Sequence, residues 1–371
     1  MTKRFTWPLV FVIAAGVIIG LWWLSQSRTP TVPERVLNLL CWTGYEEPAQ
    51  LEPFERKYGV KVRYKTFVGG DSMYSLLTQS KGQYDVVTVD PEYIKKLHDA
   101  GRLSALNPAD YNLADYLPTF RRFPLAWIDE KMYAIPVAYG ALGLVYNTNF
   151  VSAEEAQSYD IILSPKLKGK VSVWDWYLPI MGVVSRSLGN ARPYDIRDAE
   201  FEQVKVRLMQ LRPQLASIAG SFPELMASLA SGDTLIVPGG AGWVAANLQA
   251  QGKPYDWSVP KQGGIMWADT VVIPSDAPHP DLAKLYVQWM TTPEAQALVA
   301  QKKANSANVP NGAAYPLIPE SLRKVLKTLT AADAETLAEK LVIRTLPTQQ
   351  SERTWQNAWE EFKAGTNQQA R

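Results

Sequence analysis

Three tryptophans and one carboxylate stand where this chain could hold a cation: Trp42, Trp176, Trp267 and Asp269. A desolvated ammonium gains about 0.5 to 2 kcal/mol from each indole face. A charge-assisted hydrogen bond to a carboxylate adds about 1.5 to 3 kcal/mol. A few such contacts reach the roughly 8 kcal/mol of micromolar affinity once the cost of association is subtracted. Thr43 and Tyr45 follow the first tryptophan in the same strand-end loop. The competing reading is burial, because the chain has 13 tryptophans and any one taken alone is more often packed in a core. A second candidate is the run Pro238-Gly239-Gly240-Ala241-Gly242 between an apolar strand and a helix. Glycines there, Gly240 among them, would let a carboxylate or phosphate approach free backbone N–H groups, or would serve only as a tight turn.

Other chemistries find little support. His98 and His279 are the two histidines, and the second lies in the turn sequence Ser-Asp-Ala-Pro-His-Pro. They form no Ser/His/Asp or Cys/His set and no zinc-ligand cluster, so neither an enzyme nor a metal or other cofactor is expected. Cys41 is the sole cysteine, which forbids an internal disulfide and leaves a small buried residue at a strand end. The chain carries 38 Lys+Arg against 36 Asp+Glu. Removing Lys3, Arg4 and Arg28 of the first thirty residues leaves a body close to neutral, without the basic surface that a nucleic acid requires.

The elements that must position these groups alternate between strand and helix. Residues 36–41 read as a strand and are followed by the loop Trp42-Thr43-Gly44-Tyr45. Leu51, Phe54 and Tyr58 recur at helical spacing up to Gly59. Val60, Val62 and Tyr64 alternate as a strand, a helix fits 72–80, and 84–89 is a buried strand leading into Asp90-Pro91. Residues 135–146 are extended. A second series follows, with strands at 170–173 and 234–237 and helices at 179–188, 222–229 and 243–249. A further extended segment, 267–273, returns the chain to the first sheet before helices at 282–290 and 294–302. This pattern gives an α/β protein of two lobes, with two mixed, mostly parallel sheets flanked by helices. The two crossings, near 137–144 and 267–271, mark a hinge beside a cleft. The expected boundaries are 36–140 plus 268–310 for the first lobe and 141–267 plus 311–366 for the second. Lys3 and Arg4 precede an uncharged apolar run over 5–24 and the small residues Ser25-Gln26-Ser27. Residues 1–30 therefore read equally as a cleaved export signal or as a retained anchor, and 31–35 as a proline-containing linker.

Several strings carry a resemblance. Leu40-Cys41-Trp42-Thr43-Gly44-Tyr45, Tyr84-Asp85-Val86-Val87, Ser164-Pro165-Lys166-Leu167-Lys168-Gly169-Lys170, the segment from Pro260 to Asp269 and Phe362-Lys363-Ala364-Gly365 resemble the spermidine/putrescine-binding branch of bacterial extracellular solute-binding proteins. The resemblance spans about 36–365. It implies a type II periplasmic-binding-protein fold and a monomeric receptor that hands a small amine to an ABC permease in the inner membrane. Trp42, Thr43 and Tyr45 match the family's first ligand loop, Trp267 its stacking tryptophan and Asp269 its amine-binding carboxylate. Other positions depart from the family pattern. Gly44 stands where an acidic residue is usual, Asp90-Pro91-Glu92 replaces a serine and tyrosine segment, Trp176 and Pro179 stand where two carboxylates bind the far amine, and Pro238 replaces a tryptophan. Asp90 or Glu92 could restore a polyamine site. The alternatives are an ω-amino acid such as 4-aminobutyrate, held by Asp269 and the glycine-rich turn, and an anchored ligand sensor.

Overall fold

The computed structural model describes residues 35–369. The expected leader over 1–30 and the linker as far as 34 lie outside the described residues. Ten strands form one hydrogen-bonded sheet. They are β1 (Arg35–Trp42), β2 (Val60–Phe67), β3 (Val86–Val89), β4 (Ile135–Asn147), β5 (Val171–Trp174), β6 (Leu215–Ala219), β7 (Ile236–Ala241), β8 (Tyr255–Ser258), β9 (Gly264–Val272) and β10 (Leu341–Ile343). The path runs β2-β1-β3-β9-β4-β7-β5-β6, with β8 joined to β4 and β10 to β9. The two sheets expected from the sequence are thus the ends of one path. β1, β2 and β3 run parallel at one end, and β5, β6 and β7 run parallel at the other.

The two crossings are β4 and β9, paired antiparallel from Ile265↔Leu142 to Val271↔Ile135. All 13 residues of β4 and all 9 of β9 are buried. Such runs cannot alternate polar and apolar, because helices cover the sheet on both faces. The pairing of the two crossing strands with each other joins the ends of the path. β9 pairs with β10 through Gly264–Met266 and with β3 through Thr270–Val272, whereas β4 pairs with β7 through its later residues.

Local chemistry sets the element limits. The helix Pro48–Tyr58 begins on a proline and stops at Gly59, whose φ of 61° gives the left-handed cap that favours glycine. Its Leu51 and Phe54 point into the core. Cys41 is fully buried, and desolvation pushes its thiol up to about 12, so it packs as a small apolar group. His279 precedes the helix Pro280–Met290, and its ring lies 3.1 Å from the buried Asp85 carboxylate, which also accepts the Asn38 backbone N–H. Among the described residues no group of His, Cys, Asp and Glu could hold a metal ion, and no helix is long and apolar enough to cross a membrane.

The glycine-rich segment departs from expectation. Pro238, Gly239, Gly240 and Ala241 belong to β7, with Gly240 opposite Gly143 and a register shift between Gly143 and Leu144. A Cβ on Gly240 would lie 2.7 Å from Val145 Cγ2. This glycine therefore serves close strand packing, and its backbone is not a free N–H seat at a helix start.

Candidate functional site

Register places two carboxylates side by side. Thr270 of β9 pairs with Val89 of β3, so Asp269 and Asp90 are the next residues at that point of the sheet. On the same edge of β9, opposite β4, Met266 pairs with Ile343 of β10, and the Arg344 N–H donates to the Met266 carbonyl. Arg344 thereby enters the same region from a strand that lies far away in sequence. Glu92, in the short turn after β3, completes a buried group of three carboxylates.

Each carboxylate already faces a cation of the chain. Arg344 Nη2 donates to Asp90 Oδ1 at 2.7 Å and Nε donates to Glu92 Oε1 at 2.5 Å, with its guanidinium 4.5 Å from the centre of the Trp176 ring. Lys302 Nζ lies 3.4 Å from Asp269 Oδ2, and the same oxygen accepts the Tyr45 hydroxyl at 2.8 Å. Lys302 Nζ also sits 3.6 Å from the centre of the Tyr45 ring, and its side chain has no exposed surface. Glu47 holds the turn that delivers this lysine by accepting the backbone N–H groups of Lys303 and Ala304.

Burial dominates the electrostatics. Desolvation pushes the Asp90 carboxyl well above its ordinary range, and neighbouring Glu92 and Asp269 add to this while Arg344 opposes it. Glu92 is raised for the same first reason. Desolvation lowers the Lys302 ammonium against the pull of Asp269. For Arg344 desolvation acts downward, but Glu92 and Asp90 outweigh it and hold the guanidinium above its usual value. Asp90 Oδ2 and Glu92 Oε2 remain buried without a hydrogen-bond partner, as do Trp42 Nε1 and Trp267 Nε1. Buried polar atoms left this way are costly, so they mark where a donor or acceptor is wanted.

The aromatic residues separate into two roles. Trp42, the last residue of β1, packs 5.0 Å from Phe67 and 6.3 Å from Trp176, which precedes the helix Tyr177–Ser187. These two indoles come together as the sequence predicts, but the cation over Trp176 is Arg344. Trp267 lies within β9 and not on a strand-end loop. A Cβ on Gly140 would lie 2.6 Å from its Nε1, so the indole covers that glycine. Beside it, with Tyr139, Trp243, Trp257, Ser306 and Asn308, is a cavity of about 10 Å³, large enough for one water. Thr43 is exposed in the turn after β1. Arg344 engages Asp90 through Oδ1 and leaves Oδ2 without a partner, and Gly240 lies in a strand. Lys302 and Arg344 escaped the sequence reading. The first falls at the end of the expected 294–302 helix, where a lysine is usually solvated, and the second follows a three-residue strand with no pattern to reveal it.

The description "bacterial extracellular solute-binding protein" matches residues 49–320. The spermidine/putrescine-binding periplasmic protein of Escherichia coli (strain K12) is 26% identical over 329 residues, spanning 88% of this chain and 90% of that protein. The putrescine/agmatine-binding protein of Pseudomonas aeruginosa is 24% identical over 358 residues, spanning 89% and 92%. Among solved structures, the spermidine/putrescine ABC transporter substrate-binding protein PotD from Streptococcus pneumoniae superposes with a TM-score of 0.74 at 22% identity, covering 90% of this chain and 99% of that one. With the family match over most of the chain and a two-ended sheet joined by β4 and β9, the chain belongs to the bacterial extracellular solute-binding protein family.

Proposed function

We propose that this chain is the solute-capturing receptor of an ABC importer, which holds a small amine between its lobes and presents it to a membrane permease. The observation that carries the reading is the buried carboxylate group Asp90, Glu92 and Asp269 beside the rings of Trp42, Trp176 and Tyr45. Carboxylates buried against aromatic faces suit an ammonium, which gains a counter-charge and a π-face together. The names of the relatives, which bind spermidine, putrescine or agmatine, favour the same ligand chemistry. Trp42, Tyr45, Trp176, Trp267 and Asp269 frame the site, and the ammonium contacts fall on Asp90 and Glu92, whose second oxygens lack partners.

In this reading the lobes, 36–140 plus 268–310 and 141–267 plus 311–366, close by bending where β4 and β9 run together. A ligand that touches both lobes stabilises the closed form through its higher affinity for it. The body works as a monomer on the periplasmic face, exported or tethered by residues 1–30, and performs no covalent chemistry. A thermal-shift screen of polyamines, ω-amino acids and quaternary amines tests this, followed by calorimetry on the best compound. An amine is expected to raise the melting temperature, and Glu92→Gln is expected to weaken its binding at least tenfold. Stabilisation only by compounds that carry no amine would overturn the reading.

A further inference from the structure

Three buried carboxylates meet two buried cations in this site, and the pairing is one-sided. Asp269 Oδ2 receives both the Tyr45 hydroxyl and Lys302 Nζ. The first oxygens of Asp90 and Glu92 are taken by Arg344, while Asp90 Oδ2 and Glu92 Oε2 have no partner. Each cation also covers an aromatic face, Lys302 that of Tyr45 and Arg344 that of Trp176. Carboxylate and ring together are what a ligand ammonium would seek, and here the chain's own side chains supply the charge.

Resting on the amine reading above, we infer that Lys302 and Arg344 are tethered counter-ions that fix the ligand's charge. They fill two ammonium positions and leave one, at Asp90 Oδ2 and Glu92 Oε2. The site therefore selects a ligand with a single ammonium and rejects one with two or three.

Geometry and mass action both support this. A tethered group competes at an effective concentration on the order of millimolar, so a solute present at micromolar levels does not displace it. Lys302 is also locked by its surroundings. Glu47 pins the following turn, and Gly44, at a φ of 106°, passes close enough that a Cβ there would lie 3.4 Å from Lys302 Cδ and 2.9 Å from Asn305 Oδ1. A second ligand ammonium would be buried without a counter-charge and beside a like charge, an arrangement that proteins avoid.

The test uses three ligands on one four-carbon chain: n-butylamine, 4-aminobutyrate and putrescine, whose far ends are a methyl, a carboxylate and an ammonium. Calorimetry on the wild-type protein is expected to give at least tenfold tighter binding for one of the single-ammonium ligands than for putrescine. Lys302→Met and Arg344→Gln each vacate a carboxylate, and each is expected to raise the affinity for putrescine relative to the single-ammonium ligands at least tenfold. The double variant Lys302→Met with Asp269→Asn removes the vacated carboxylate as well, restores a neutral pair in the fold, and is expected to show no such gain. A wild-type preference for putrescine overturns this inference and leaves the amine reading intact. Folded Lys302→Met and Arg344→Gln proteins without the gain, or a double variant with it, overturn the inference too. No binding of any of the three ligands to any of these proteins overturns the amine reading and this inference with it.

Discussion

Arg344 bridges two carboxylates that would otherwise repel each other in a dry interior, yet one guanidinium cannot neutralise both. Asp90 carries the remaining strain, and desolvation pushes its carboxyl well up. An acid whose pKa is raised on folding keeps its proton in the native state while the unfolded chain has lost it. Stability from this group is therefore fullest near and below the unfolded value of about 3.9 and falls as pH rises toward the folded one. Asp90→Asn keeps an oxygen for Arg344 Nη2 and removes the titration. Its melting temperature is expected to exceed that of the wild type at pH 7, with the gap narrowing as pH falls toward 4, which paired thermal melts across that range would check. A gap that is absent at pH 7, or that widens toward pH 4, would contradict the account. At this scale the sequence was informative about ring types and about Asp269, which the structure places in the buried group. It was silent on Lys302 and Arg344, because a lysine past a helix end and an arginine past a short strand have the local appearance of solvated surface. Only the pairing of β10 with β9 and the clasp by Glu47 carry them inside.

At the scale of elements, the strand pair β4 and β9 decides how close the aromatic residues come. Gly140 of β4 lies opposite Trp267 of β9, and the indole rests where a side chain on residue 140 would be. Trp267→Ala would open a hole. Gly140→Ala instead forces the ring outward, and overpacking of this kind costs about 1 to 3 kcal/mol. Urea denaturation of Gly140→Ala is expected to show a loss of that size, with tryptophan fluorescence shifted by displacement of Trp267. An unchanged midpoint would mean that the indole has freedom the packing denies it. Most elements were readable from periodicity, and the end of the helix Pro48–Tyr58 from its stop residue, Gly59. The glycine-rich run was misleading for a physical reason. Pro238 and Gly239 have the composition of a turn, but β4 approaches so closely at Gly143 and Val145 that only glycine fits at 240, and a register shift absorbs the irregularity. Turn composition and close strand packing use the same residues, and a single sequence cannot separate them.

At the scale of the whole molecule, the carboxylate charge in this site that Lys302 and Arg344 leave uncompensated links ligand capture to pH. The raised Asp90 and Glu92 carboxyls face Arg344, Asp269 and each other, and in the unliganded protein a proton is the smallest charge that can settle on them. A ligand ammonium at the unpartnered oxygens takes the proton's place, so capture releases it. The ammonium itself, with an ordinary pKa of about 10.4, stays charged throughout the range that matters. Affinity is therefore expected to fall as pH is lowered below the folded Asp90 value, with a limiting loss of about tenfold per pH unit for one displaced proton. Calorimetry with a single-ammonium ligand at pH 8, 7, 6 and 5, repeated in buffers of different ionisation enthalpy, measures both the trend and the proton count. Equal affinity from pH 8 to pH 5 with no proton released would mean that the ammonium does not settle at Asp90 and Glu92. The carboxylate that remains accessible would then have to be Asp269, with Lys302 moving aside on closure.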